Sequence, residues 1–208
     1  MLIDAVVLAG GRSSRLGSVP KTSLVVDNTS LLEKAVVAAS GVSRDCVVVG
    51  PAAPEISGSR ILLTREEPPF SGPAAALMAG LRKLRAGSNA SEAVLVLACD
   101  MPGIAGQLPM LVTALDSASS AIDGAISLDT HGFRQPLAAL YRKYELTHAA
   151  SRFSDHELIG LSMRALIEPL NLLAVPAPHG VTDDIDSWED AARLGATEPP
   201  REAQGDTR

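Results

Sequence analysis

Ala5-Val6-Val7-Leu8-Ala9-Gly10-Gly11-Arg12-Ser13-Ser14-Arg15-Leu16-Gly17, with Pro20-Lys21 close behind, joins an aliphatic run directly to a glycine-rich, cationic loop. The run at 5–8 is short, unbroken by polar residues and ended by a turn signal, so it reads as a strand buried on both faces. In an open α/β sheet, ligands gather beyond the carboxyl ends of the strands. Adjacent glycines there let backbone N–H groups approach phosphate oxygens with no Cβ in the way. Arg12, Arg15 and Lys21 concentrate positive charge in that one loop, which suits a triphosphate. Neither common phosphate fingerprint is present: G-x-G-x-x-G is missing, and Pro20 precedes Lys21-Thr22 where a P-loop requires glycine. A lone Gly-Gly pair would read as a plain turn with solvated arginines; the two arginines and the lysine shift that balance.

Working outward, aliphatic runs recur at 47–49, 61–63, 93–98, 124–127 and 172–175, each bounded by turn or polar residues. Between several of them lie helical patterns. Ser30 followed by Glu33 forms a capping-box signature ahead of a helix over 31–40, and residues 74–84 set Leu77, Leu81 and Leu84 on one face. Alternating strands and helices predict a single-domain, Rossmann-like, doubly wound and mostly parallel α/β sheet. The stretch 137–168, with Leu140, Tyr144, Leu158, Leu161 and Leu166, reads as helical and is expected to cover the active-site side. The domain is expected to span 1–196. From 197 to 208 the chain carries almost nothing apolar and reads as a disordered tail.

Composition narrows the class. The chain has 208 residues, enough for one α/β domain, and is 46% hydrophobic but 3% aromatic, so its core must be aliphatic and rich in alanine. A formal charge of −6 disfavours nonspecific nucleic-acid binding, which is driven by clustered Lys and Arg. No apolar run reaches the ~18 residues of a membrane span, and Met1-Leu2-Ile3-Asp4 lacks the basic start of a signal peptide, so a cytoplasmic location is expected. Cys46 and Cys99 lie in apolar runs without C-x-x-C spacing, which predicts buried, reduced thiols. His131, His148, His156 and His179 show no ligand spacing and are assigned no catalytic role.

Two acidic stretches complete the set. The run at 93–98 ends in Cys99-Asp100-Met101-Pro102, and a carboxylate at a strand's carboxyl end is placed to hold Mg²⁺ with substrate phosphates, although an Asp there also caps helices. Asp183-Asp184-Ile185-Asp186-Ser187-Trp188-Glu189-Asp190 gathers further carboxylates. Ser187 with Asp190 resembles a helix N-cap, which leaves Asp186, just before it, to face a metal.

In this order, L-A-G-G-R-x-x-R-L-G with Lys21, A-C-D-M-P and D-I-D-S-W-E-D resemble the nucleotidyltransferases of the molybdenum cofactor guanylyltransferase (MobA-like) family over 6–194. Arg65-Glu66-Glu67-Pro68-Pro69-Phe70-Ser71-Gly72-Pro73 resembles its acidic-then-G-P segment, and Gly132-Phe133-Arg134-Gln135-Pro136-Leu137 its G-x-x-x-P-L stretch. The resemblance implies a fold like that of the nucleotide-diphospho-sugar transferases. It also implies nucleotide contacts from Leu8, Ala9, Gly10, Gly11, Arg12, Lys21, Glu66, Gly72, Pro73 and Asp100. Arg15, Lys21 and Asp100 would act in catalysis, and Asp100 with Asp186 would bind Mg²⁺.

The implied reaction moves GMP from GTP to a molybdopterin-type phosphorylated acceptor with release of pyrophosphate. It is compatible with transient contact with other cofactor-biosynthesis or molybdoenzyme-maturation proteins. This chain departs from the family where some relatives carry asparagines and it has Asp184 and Asp186, which should still bind Mg²⁺ but make the site more negative, and where no asparagine appears around Val49-Gly50-Pro51-Ala52 to contact the base. A CTP-dependent enzyme for the same acceptor, a transferase for another phosphorylated metabolite, and a noncatalytic nucleotide-binding module remain alternatives.

Overall fold

The computed structural model describes residues 1–11, 14–17, 19–51, 53, 56–87 and 91–199. Along the chain run β1 (Ile3–Leu8), β2 (Val25–Val26), β3 (Thr29–Ser30), α1 (Leu31–Ser40), β4 (Cys46–Val49), β5 (Ile61–Thr64), α2 (Pro73–Gly87) and β6 (Ala93–Ala98). Then follow α3 (Leu108–Asp116), β7 (Gly124–Leu128), β8 (Arg134–Arg142), α4 (Lys143–Ser151), α5 (Asp155–Leu158), α6 (Met163–Ile167), β9 (Leu172–Pro176) and α7 (Trp188–Arg193). Among the described residues, seven strands make one sheet in the order β5-β4-β1-β6-β8-β7-β9, and β2 with β3 forms a separate small hairpin.

Strands β5, β4, β1 and β6 are mutually parallel, as are β7 and β9. All six residues of β1 are buried, and they divide between the two faces. Ile3, Ala5 and Val7 join a core under α1 and α3; Val6 and Leu8 join another under α2 and the helices after β8. Each face therefore supplies its own apolar layer, as a doubly wound sheet requires.

Strand β8 corrects the helical reading of 137–168. Residues 134–142 form a nine-residue strand antiparallel to both β6 and β7, and Leu140, taken as a helical position, sits in it fully buried. Helices start only at Lys143, and α4, α5 and α6 bring Leu158 and Leu166 into the core. An all-apolar stretch with no surface face carries no period, so the ladder partners on both sides decide its conformation.

Helix α1 begins as its sequence signature predicts, with Ser30 Oγ accepting from the Glu33 N–H at 3.1 Å. Asp4 enters β1 buried. Its carboxylate is matched by Arg44 Nη2 at 3.1 Å, Lys143 Nζ at 3.4 Å and the Ser91 hydroxyl, a polar knot at the end of β1 opposite the glycine loop. Thr197, at the expected start of the tail, exchanges backbone hydrogen bonds with Val25, and residues 200–208 lie outside the described residues. Among the described residues, no helix is long and apolar enough to cross a membrane.

Helix α2 crosses β1 and β4 at Gly80, where a Cβ would come within 2.6 Å of Val6 Cγ1 and 3.1 Å of Val49 Cγ2. Overpacking of this kind costs ~1–3 kcal/mol, against at most ~1 kcal/mol gained in helix propensity. Gly80→Ala is therefore expected to lower the urea midpoint of unfolding, and an unchanged midpoint would show that the helix can lift off the sheet at no cost.

Candidate active site

The carboxyl ends of β5, β4, β1 and β6 open into one cleft of about 970 Å³. Residues expected to hold the nucleotide line it together: Leu8, Ala9, Gly10, Gly11, Lys21, Glu66, Gly72, Pro73 and Asp100, joined by Arg15 and Asp186. Arg12 lies outside the described residues.

The glycine loop is set by close backbone contact. Ala9 N–H donates to Val49 O at 2.8 Å, and a Cβ on Gly50 would fall 2.9 Å from the Ala9 carbonyl carbon and oxygen, so β4 must be followed by glycine for the loop to lie against it. Gly11 has φ +149°, which favours glycine. After Gly11 the chain makes a 3-10 turn at Ser14–Leu16 and a second at Lys21–Ser23. Leu16 and Leu24 plug a small third core with Val26, Leu31, Ile185, Ala191 and Ala196.

That small core also delivers the acidic residues. Ile185 is fully buried within it, and its N–H donates to the Asp100 backbone carbonyl at 3.0 Å, so Asp184 and Asp186 on either side are brought up to Asp100. A full capping box between Ser187 and Asp190 starts α7 immediately afterwards and fixes how the chain leaves. The Asp190 carboxyl is held below its usual range by the Ser187 hydroxyl first and by Arg193 next, which marks it as a structural group.

Carboxylate oxygens of Asp100, Asp184 and Asp186 lie within 4.8 Å of one another. Lys21 Nζ donates to Asp100 Oδ2 at 3.1 Å and to Asp186 Oδ1, and Arg15 Nη1 stands 3.9 Å from Asp186 Oδ2. Burial pushes the Lys21 ammonium down, but the charge of Asp100 and the hydrogen bonds to both carboxylates outweigh it and raise its pKa overall. The Lys21 ion pairs are thus intact at neutral pH and are lost only as pH climbs through that raised value. Asp184 has its pKa raised by partial burial first, then by the negative charges of Asp100 and Asp186.

Asp184 completes the cluster beside Asp100 and Asp186, at a position where an aspartate able to bind Mg²⁺ was expected from the departure in the last motif. Its signal was there: Asp184 and Asp186 flank one apolar residue, and in extended chain residues i and i+2 point the same way. Arg65, just before Glu66, and Phe70, between Glu66 and the G-P pair, also line the cleft, as does Leu137 from β8. Their roles needed the fold, because no local pattern marks an arginine or phenylalanine as cleft-facing.

The donor chemistry fits Mg²⁺. The three carboxylates are hard oxygen ligands, and their spread is only a little wider than the ~4 Å between opposite ligands of an ion that binds at ~2.0–2.1 Å. A lysine ammonium already lies between two of them, which shows that the cluster accommodates a cation. Cys99 abuts the site yet is buried, its thiol pushed up to about 12 by burial and by Asp100, and Cys46 likewise reaches about 12 by burial; both thiols are free and neither suits metal binding at neutral pH.

A sequence model of the MobA-like NTP transferase domain matches residues 5–171. Several solved structures share the fold. Molybdopterin-guanine dinucleotide biosynthesis protein A from Archaeoglobus fulgidus is 20% identical, with a TM-score of 0.67 over 92% of this chain and 96% of that one. A nucleotidyl transferase from Methanothermobacter is 22% identical, with a TM-score of 0.69 over 93% and 95%. The 2-C-methyl-D-erythritol 4-phosphate cytidylyltransferase of Francisella tularensis is 12% identical, with a TM-score of 0.74 over 94% and 99%. No curated protein matches the sequence.

A raised carboxyl pKa in the folded state means that ionised Asp184 costs folding energy above that pKa and that the cost fades as pH falls through it. In metal-free buffer, Asp184→Asn is expected to raise the melting temperature at pH 7, with the gain shrinking toward pH 4. Paired thermal melts at the two pH values measure this, and a loss of stability at pH 7 would contradict the repulsion.

Proposed function

The chain belongs to the MobA-like NTP transferase family, and from that premise we propose that it transfers GMP from GTP to a molybdopterin-type phosphorylated acceptor with release of pyrophosphate. The observation that carries this reading is the meeting, in one cleft, of a glycine loop, Arg15 and Lys21, and the carboxylates of Asp100 and Asp186, which Asp184 joins alongside, from segments far apart in the chain. The name borne by the Archaeoglobus protein of similar fold supports the acceptor. The carboxylate cluster argues against a noncatalytic binding module, which would need the loop but not three acidic groups beside it.

In this mechanism the backbone amides of Gly10 and Gly11 face the phosphates, and Arg15 and Lys21 hold the β/γ end. A phosphate oxygen of the acceptor attacks the α-phosphorus in line; a new P–O–P link forms as the bond to the bridging oxygen breaks, and pyrophosphate leaves on the opposite side. The acceptor phosphate is already ionised near neutral pH, so no side chain has to remove a proton, in keeping with a cleft that no described histidine lines. Mg²⁺ on Asp100, Asp186 and Asp184 would supply Lewis acidity to the phosphate oxygens. The chain's own task is alignment: the cations and amides fix the triphosphate so that attack and departure lie on one line. Lys21 is the mobile partner, since a phosphate entering the site offers its ammonium an alternative to the carboxylates.

Pyrophosphate release from GTP, CTP, ATP and UTP, with and without molybdopterin acceptor and with Mg²⁺ present or chelated, tests the reading. GTP-selective release that requires both acceptor and metal is expected; CTP selectivity would move the chain to the cytidylyl branch, and no release with any NTP would sink the proposal. Asp100→Ala should lower turnover by ~10²–10³-fold with the melting temperature little changed, a scale set by the loss of one transition-state contact. Lys21→Ala should raise KM for NTP and lower kcat, and unchanged NTP kinetics would remove Lys21 from the site.

A further inference from the structure

Phe70 is the one aromatic residue among the described residues lining the cleft, in a chain only 3% aromatic. It is 53% exposed, and its φ of +63° belongs to a region that bulky residues avoid. The backbone is held there from beneath: buried Glu66 accepts the Phe70 N–H on Oε1 at 2.9 Å. That same oxygen lies 3.8 Å from where a Cβ on Gly10 would stand, so Glu66 ties Phe70 to the glycine loop. From the far side, Gly160 N–H donates to Ser71 O at 2.8 Å. The Arg65 guanidinium sits over the Phe70 ring, 5.6 Å from its centre. A ring kept in unfavourable backbone geometry by a buried carboxylate, with much of its surface in a cleft, is a strained element with a use.

Its place along the cleft says which use. Lys21 and the carboxylates sit where β1 and β6 end, whereas Arg65 and Phe70 follow β5, two strands away from β1 in the sheet order β5-β4-β1-β6. A nucleoside triphosphate with its phosphates at the cations extends its planar base away from them. We propose that Phe70, set by Glu66 and backed by Arg65, is the stacking platform for the nucleobase of the NTP. This inference rests on the transferase reading above. Stacking on a phenyl face is open to every base, so the platform contributes affinity for a nucleoside over bare polyphosphate, and selection among bases falls to edge contacts.

The test uses the full chain and two probes with Mg²⁺, the productive NTP and inorganic tripolyphosphate. Phe70→Ala is expected to raise Kd and KM for NTP roughly tenfold, with kcat and the Kd for tripolyphosphate unchanged and with Phe70→Tyr restoring NTP binding. In a Trp188→Phe background, the indole introduced by Phe70→Trp should be quenched by NTP and not by tripolyphosphate. Equal weakening of both ligands by Phe70→Ala would show a purely structural role and overturn the platform, as would unchanged NTP binding. Quenching by a pterin monophosphate and not by NTP would hand the ring to the acceptor and overturn it too. An unsubstituted chain that binds tripolyphosphate but no NTP would overturn the transferase reading itself, and the platform with it.

Discussion

Strand β1 has no residue open to solvent, and that constraint organises everything else. A strand buried on both faces must have its backbone paired on both edges, and β4 and β6 supply those partners in parallel register. Parallel neighbours share a direction, so all three strands end on the same side of the sheet. The glycine loop, the bend at Gly50 and Asp100 then emerge side by side without further design. Close approach finishes the placement: Gly50 lets one strand end lie on the next, and Gly80 lets α2 settle over β1 so that its first residue, Pro73, reaches the cleft.

Electrostatics sets the second constraint. Three carboxylates crowded together would repel, and in a chain of net charge −6 no general surplus of cations relieves them. Lys21 and Arg15 do so locally, within the same segment proposed to face the phosphates. The site therefore holds both cations and carboxylates, and under the proposed function each set partly satisfies the other until a ligand carrying both charges arrives. Magnesium bound to a nucleotide has that pairing of charges, which neither ion alone offers.

Much of this was legible in the sequence because it is local. The loop from Leu8 to Gly17, the strand that leads into Asp100 and the Ser187 cap are each written in a few neighbouring residues, and the alternation of strands and helices indicated the doubly wound sheet. What escaped depends on neighbours distant in the chain. Strand β8 looked helical because Leu137 to Tyr141 has no polar side, and only β6 and β7 make it a strand. The contact that carries the expected Asp184 and Asp186 to Asp100 is the docking of Ile185, and Arg65 with Phe70 enters the cleft because Glu66 is buried against the glycine loop. No short window of sequence contains both Ile185 and Asp100, or both Glu66 and the glycine loop.

The hydrogen bond from Ile185 to Asp100 links residues 85 positions apart and bridges two regions that leave the ribosome at different times. The glycine loop and Asp100 belong to the first half of the chain, but the acidic cluster closes only when Ile185 has seated itself beside Leu16 and Leu24. A nascent chain can thus assemble its early strands before it owns the full set of carboxylates. The acidic cluster is therefore a record of long-range closure: it exists only once the segments around residues 100 and 185 have met.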